Sequence, residues 1–426
     1  MNKVFPIQTE TGCLFKWAWS TVYLKSGTTA SCHRVTHDPI DLENFDAFHN
    51  TPRKIRAREM MLKGEWPGEG CEYCQNIEQS GGTSDRQLQL KLAIPKNVPP
   101  ELMHDSTATH VTPTILEVYF SNVCNMSCLY CGPWFSTKWE EENKKFLSDE
   151  RYKKSKIPLI GLRNPHSSAF NENYDEMTQK FFSWLEKNHQ TISYLNIAGG
   201  ESFYQPELEL VLDFYDKHPS PHTQISLITN LKVPFEKFKK FVDRFLLLQE
   251  EKKIDSIRIS GSLDCWGPQQ EYIRWGLSLK EYIRNMEYLL DKNITIGINS
   301  AVNSLSIKTM PEFIAQMNVW NEIRKSHNLP KLTYTFMSVN SPEYMNPDIF
   351  EPGFFADDFK NILDVMSHET EDDIFAIDYM KGIAKQVDTA PKNPDMIEAL
   401  KLYLNELDYR RGTNWRELFP WLEEQE

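Results

Sequence analysis

Six short runs rich in β-branched and aromatic residues, at 114–121, 192–198, 225–230, 254–264, 294–303 and 331–339, alternate with stretches of helical periodicity. The helical stretches are Tyr174–Asn188, Pro206–Lys217, Pro234–Glu250, Pro268–Lys292, Met310–His327 and Phe354–Met366. Several open on proline, whose missing N–H costs nothing in a first helical turn. Strand, helix and strand in repeated succession imply a parallel sheet with right-handed crossovers. An α/β fold is therefore expected, with ligand chemistry at the C-terminal ends of the strands. A chain of 426 residues, 40% hydrophobic and 25% charged, can bury such a core and add a smaller domain.

Directly after the first run, Thr114–Phe120, come Cys124, Cys128 and Cys131, with Tyr130 before the last thiol. Cys-x3-Cys-x2-Cys offers three thiolates from one loop, one fewer than a closed four-cysteine iron–sulfur site, which leaves an iron with an open position. Zinc sites more often show paired C-x2-4-C units with a fourth ligand nearby. The second run ends in Ala198-Gly-Gly-Glu-Ser202, where two glycines let the backbone approach a ligand and Glu201 can accept from an ammonium. The third ends in Ile228-Thr-Asn230 and the fourth in Ser260-Gly-Ser-Leu-Asp264. Upstream, Cys13 is followed by thirteen residues, Gly27, four more and Cys32, and later by Cys71-Glu-Tyr-Cys74. Four thiols can close an iron–sulfur or a zinc site, and the C-x2-C pair is common to both. Eight cysteines in so long a chain do not make a disulfide framework.

The cysteine triad and the Gly-Gly-Glu strand end resemble the signature of the radical S-adenosylmethionine (radical SAM) superfamily. The resemblance implies a partial (β/α)6 TIM-type barrel, a [4Fe–4S] cluster on Cys124, Cys128 and Cys131, and SAM filling the open iron position. An electron from the cluster then cleaves SAM to methionine and a 5′-deoxyadenosyl radical that abstracts substrate hydrogen. Gly199, Gly200 and Glu201 match the family's GGEP motif, with Ser202 in place of proline. By the same resemblance Tyr130, Thr229, Asn230, Ser262, Asp264, Arg274 and Asn299 are cofactor contacts; strand-end capping and a helix-surface charge are the competing reading of Ser262, Asp264 and Arg274. Cys13, Gly27, Cys32, Cys71 and Cys74 resemble the first half of a SPASM domain, a twitch domain holding an auxiliary [4Fe–4S] cluster, here ahead of the barrel instead of after it. The implied division is 1–110 for this module, 111–370 for the barrel and 371–426 for C-terminal helices. Cys265, beside Asp264, is either a hydrogen donor to a substrate radical or a buried structural thiol. An electron donor such as flavodoxin or ferredoxin is the implied partner.

The net charge of −13 opposes an extensive nucleic-acid face. No apolar run approaches 18 residues, and Met1–Pro6 lacks a charged-then-hydrophobic leader, so a cytoplasmic protein is expected. His33, His37 and His49 read as surface or turn histidines, and the basic run 51–62 as a solvated helix face. A long loop is expected over 148–173 and a turn at the glycine pair 81–82. Asn393 is expected to cap a helix burying Ile397, Leu400, Leu404 and Leu407 and ending near Gly412, followed by an aromatic tail packed on the barrel. Two functions from different classes follow. One is a radical SAM enzyme acting on a peptide or protein, a nucleotide or a sugar-like metabolite. The other is a non-catalytic iron–sulfur or zinc protein whose barrel binds a partner. Gly199–Glu201 separates them, because a binding protein needs no ammonium site.

Overall fold

The computed structural model describes residues 9–79, 84, 86–87, 108–146 and 172–425. The expected glycine turn at 81–82, residues 148–171 of the expected loop and Met1–Pro6 lie outside them. Nine strands are present among the described residues: β1 (Trp19–Tyr23), β2 (Thr28–Ala30), β3 (Asp38–Pro39), β4 (Ile115–Tyr119), β5 (Tyr194–Ala198), β6 (Ser220–Thr229), β7 (Ile254–Ser262), β8 (Thr295–Val302) and β9 (Thr333–Ser338). They form one mostly parallel sheet in the order β3-β2-β1-β4-β5-β6-β7-β8-β9. The last six match the expected runs. The first three were not foreseen, because they are short and Trp19-Ser-Thr-Val-Tyr23 has no clean apolar alternation.

Two compact units divide the chain. The first comprises Met1–Ser121, Ala169–Leu227 and Arg244–Ile257. In it, β1 runs antiparallel to β2 and parallel to β4, with Trp19 opposite Ile115 and Tyr23 opposite Tyr119. The amino-terminal segment, expected to form its own module, thus contributes strands to this sheet. Leu116 and Val118 of β4 and Leu195 and Ile197 of β5 are buried on one face, and polar Glu117 and Asn196 between them are buried on the other. The helix Tyr174–Asn188 buries Phe181, Trp184 and Leu185.

The helix Pro52–Leu62, capped by the Thr51 hydroxyl accepting from Lys54 N–H, overturns the expectation of a solvated basic face. Lys54 and Arg58 point inward and are buried. Arg58 donates to the carbonyls of Lys16, His49 and Thr109, tying three segments together. His49 is also buried, its Nε2 bonded to the Trp17 carbonyl at 2.8 Å, so it is a core residue and not a surface one. His33 is an exposed turn residue 3.2 Å from Glu117, and His37 is exposed just before β3 and stacked on Tyr23.

The second unit comprises Asn122–Ser168, Ile228–Asp243 and Arg258–Glu426. Here β7, β8 and β9 pair in parallel, with Ser262 opposite Asn299 and Gly297 opposite Thr333. The single helix expected over Pro268–Lys292 is two, Gly267–Ile273 and Leu279–Leu289, broken at Gly276 with φ +99°. A Cβ at Gly276 would lie 3.2 Å from the Asn125 carbonyl, so the break lets backbone meet backbone. Thr137–Phe146, a helix not foreseen, and Glu371–Thr389, at the start of the 371–426 stretch expected to hold helices, complete the packing together with Pro394–Arg411. The last is capped by Asn393 and stopped by left-handed Gly412, as expected, with Ile397, Leu400, Leu404 and Leu407 buried.

Candidate functional site

In the second unit the cysteine triad lies on a loop held by its own peptide groups. Ser127 N–H donates to the Trp275 carbonyl and Leu129 N–H to the Ile273 carbonyl, both at 2.9 Å. Those acceptors are available because the helix breaks there, leaving its last carbonyls without intrahelical partners. From the other side, the Thr137 hydroxyl accepts from Cys124 N–H and donates to Cys124 C=O, at 3.2 and 3.1 Å. Ser136 Oγ donates to the Met126 carbonyl, Trp139 Nε1 to that of Cys128 and Tyr403 Oη to that of Leu129. Arg411 Nη2 donates to the Ser127 carbonyl at 3.1 Å and pairs with Glu142, so the C-terminal helix helps brace the loop. Cys131 N–H bonds to the Cys128 carbonyl at 3.0 Å, turning the last two thiols together.

Burial pushes the Cys128 thiol upward, with Arg274 opposing, and pushes Cys131 up to about 12, with neighbouring Cys128 adding to the effect. Two adjacent thiolates are therefore disfavoured without a positive partner, and a metal core is the partner thiolates take. Three cysteines outside any disulfide on one braced loop are the donor chemistry that a three-thiolate cluster takes.

Tyr130 does not stand alone. Its hydroxyl donates to Asp264 Oδ2 at 2.6 Å, while Arg274 donates through Nε and Nη2 to the same carboxylate at 2.9 and 2.8 Å. Ala301 N–H supplies a fourth bond at 2.8 Å. A carboxylate offers about four acceptor positions, so Asp264 is saturated by the protein. Asn230 Nδ2 donates to Asn125 Oδ1 at 2.8 Å and lies 4.0 Å from Cys124 Sγ, joining the β6 end to the cysteine loop. Thr229 Oγ1 accepts from Leu231 N–H at 3.0 Å. Ser262 and Asn299 sit opposite each other, half-buried, at the ends of β7 and β8. Cys265 is fully buried with its thiol 3.5 Å from Gln270 Oε1, the environment of a structural thiol.

In the first unit, Gly199 has φ +128°, and a Cβ there would stand 2.7 Å from both the Ser121 carbonyl and Gln205 Nε2. Only glycine fits this position. Gly200 N–H donates to the Ser121 carbonyl at 3.2 Å, and buried Glu201 accepts from Phe203 N–H at 3.1 Å, capping the short turn 202–204.

The same unit gathers Cys13, Cys32, Cys71 and Cys74. Gly27, in a left-handed turn with φ +64°, closes the β1–β2 hairpin that delivers Cys32. Cys13 and Cys71 belong to one packed cluster with Trp17, Met61 and Val111. Arg34 bridges the Cys32 and Cys74 segments, its guanidinium 4.1 Å from the centre of the Tyr73 ring. Each of Cys13, Cys32 and Cys71 is raised by burial, Cys13 to about 12, and Cys32 is raised further by the charges of Cys74 and Cys71. Among the described residues no group of three or more His, Cys, Asp or Glu is arranged to hold a metal ion.

Comparison with known proteins gives distant matches only. No family model and no curated protein matches the chain. Solved structures that match include SuiB of Streptococcus suis bound to the precursor peptide SuiA and the same protein bound to S-adenosylmethionine. Each is 12% identical, covers 74% of this chain and 61% of that one, and has a TM-score of 0.34. TYW1 with a lysine–pyruvate adduct is 11% identical over 57% of this chain and 68% of that one, with a TM-score of 0.27. The chain thus spans 61% of the length of SuiB. At these scores the likeness carries no argument, and the functional reading rests on the residues of this chain. No helix among the described residues is long and apolar enough to cross a membrane.

Sequence reasoning did not find Asn125, Thr137, Trp139, Tyr403 or Arg411, which support the cysteine loop through hydrogen bonds that only the fold creates. It also missed Lys16, although a cation one helical turn after Cys13 is a readable signal.

Proposed function

We propose that the protein is a radical SAM enzyme with a second metal–thiolate centre. The observation that carries this reading is the Cys124–Cys131 loop, whose main chain takes the anchoring bonds and whose three cysteines stand in no disulfide. A [4Fe–4S] cluster held by Cys124, Cys128 and Cys131 would supply, with SAM, the reductive cleavage that yields a 5′-deoxyadenosyl radical.

The chain's own residues hold and orient. Asp264 fixes the Tyr130 side chain beside Cys131 and keeps Arg274 charged against the loop. Asn230 fixes Asn125, and with it the Cys124 end. In this reading Ser262 and Asn299 are the polar groups at the β7 and β8 ends that receive a ligand, while saturated Asp264 acts through Tyr130 and Arg274. Glu201 is the ammonium acceptor, and Gly199 and Gly200 keep its strand end free of side chains. Cys13, Cys32, Cys71 and Cys74 hold the auxiliary centre; a cubane is wider than a single ion, so its thiols need not converge on one point. The division into an amino-terminal cluster module, a barrel and C-terminal helices belongs to the same proposal, as does a small soluble electron carrier as redox partner.

Anaerobic reconstitution with iron and sulfide, followed by metal analysis and electron paramagnetic resonance with and without SAM, tests it. About eight iron per chain is expected, with the reduced signal of one cluster changing on SAM addition. Protein that takes up iron but shows no spectral response to SAM would contradict the proposal.

A further inference from the structure

The amino-terminal region buries three cations with little to balance them. Lys16 is 5% exposed, Lys54 4% and Arg58 fully buried. None of the three has a carboxylate in salt-bridge reach among the described residues. Lys16 Nζ donates to Ser31 Oγ at 3.0 Å. Lys54 Nζ donates to Ser20 Oγ, Thr29 Oγ1 and the Phe48 carbonyl, at 3.0, 2.7 and 2.8 Å. Arg58 bonds to carbonyls and to Asn50 Oδ1. The buried acids nearby are engaged elsewhere. Asp38 pairs with Arg53 at 2.9 Å and accepts from Thr51, and Glu117 accepts from Thr21 and Asn196 and faces His33.

Hydroxyls and carbonyls solvate a buried ammonium but do not cancel its charge, and burying an unbalanced cation costs several kcal/mol. The anion that would cancel it is beside Lys16. Lys16 lies one turn after Cys13, its N–H bonded to the Cys13 carbonyl at 3.0 Å, and its ammonium is held on Ser31, the residue before Cys32. Four thiolates around a [4Fe–4S] core of charge 2+ carry about −2 in total.

Building on the auxiliary-centre reading, we infer that Lys16 is the buried counter-cation of a dianionic four-thiolate centre at Cys13, Cys32, Cys71 and Cys74. A cation fixed in a low-dielectric site favours the more negative, reduced form of a cluster, so Lys16 sets that centre's potential as well as its affinity.

The test uses full-length protein, reconstituted anaerobically, as wild type, Lys16→Met, Lys16→Arg and Cys71→Ala with Cys74→Ala. Lys16→Met keeps length and packing and removes the charge; Lys16→Arg keeps the charge. In redox titrations followed by paramagnetic resonance, Lys16→Met is expected to lower the reduction equilibrium constant of the auxiliary cluster about tenfold, a shift of about 59 mV to more negative potential. The triad cluster's potential and the Lys16→Arg auxiliary potential should stay at wild-type values. Loss of the centre in Lys16→Met with retention in Lys16→Arg also supports the inference. An unchanged potential in metal-loaded Lys16→Met, or equal loss in both variants, overturns it. Wild-type metal content in the double cysteine variant would remove the auxiliary centre itself, a failure distinct from that of Lys16.

Discussion

Asp264→Asn is the most informative single change in the second unit. The wild-type carboxylate has no exposed surface and accepts two bonds from Arg274, one from Tyr130 and one from Ala301 N–H. Asparagine keeps one acceptor oxygen but sets an NH2 group against donors that need an oxygen. Arg274, whose side chain is 10% exposed, then loses its counter-charge. Breaking a buried pair from one side costs about 3–5 kcal/mol, and the retained oxygen places the expected cost near the lower end, about 3 kcal/mol. Equilibrium urea unfolding followed by tryptophan fluorescence reads it, and Trp139 and Trp275 both bond to the cysteine loop. Adding Arg274→Met to Asp264→Asn should cost less than about 1 kcal/mol more, because the stranded charge has gone. A loss below about 1 kcal/mol for Asp264→Asn, or strict additivity of the two substitutions, would refute the saturated-carboxylate argument.

Three further outcomes are expected. Glu201→Gln should weaken SAM binding ten- to hundredfold in equilibrium dialysis, the roughly 1.5–3 kcal/mol of a charge-assisted bond, while iron content holds; unchanged affinity would detach Glu201 from the ligand. Burial pushes Asp373 upward, but Lys331 and the Thr370 hydroxyl and N–H outweigh it and hold the group below its usual 3.8. Its stabilising effect is therefore present at neutral pH and fades as pH falls below about 3.8, so the roughly 1–3 kcal/mol by which Asp373→Asn destabilises at pH 7 should vanish in strong acid; a pH-independent difference would contradict this. Cys71→Ala with Cys74→Ala should lower iron from about eight to about four per chain and leave the triad cluster's SAM response intact.

Much of the fold was legible in the sequence because parallel strands announce themselves as apolar runs and helices by period. All six expected strands formed, and Asn393 and Gly412 bounded their helix through local capping chemistry that needs no tertiary information. The break at Gly276 was not legible. Glycine inside an amphipathic stretch reads as a tolerated defect until the Asn125 carbonyl is known to press on it. Lys54 and Arg58 failed for a related reason: their run has the composition of a solvated face, and only the neighbouring carbonyls and hydroxyls make burial bearable. Within the candidate site, cysteine spacing and the Gly199 conformation are local and were readable. That Tyr130, Asp264 and Arg274 bond one another depends on residues 134 and 10 positions apart and was not.

The central claim is that Cys124, Cys128 and Cys131 hold a cluster that cleaves SAM. Quantifying 5′-deoxyadenosine by chromatography from anaerobic, reconstituted protein with SAM and dithionite tests it most directly. Wild-type protein is expected to form 5′-deoxyadenosine, and the variant with all three cysteines changed to alanine to form none while keeping about four iron in the auxiliary site. An iron-loaded wild type that yields no 5′-deoxyadenosine, or a triple variant that yields as much as wild type, would contradict the account.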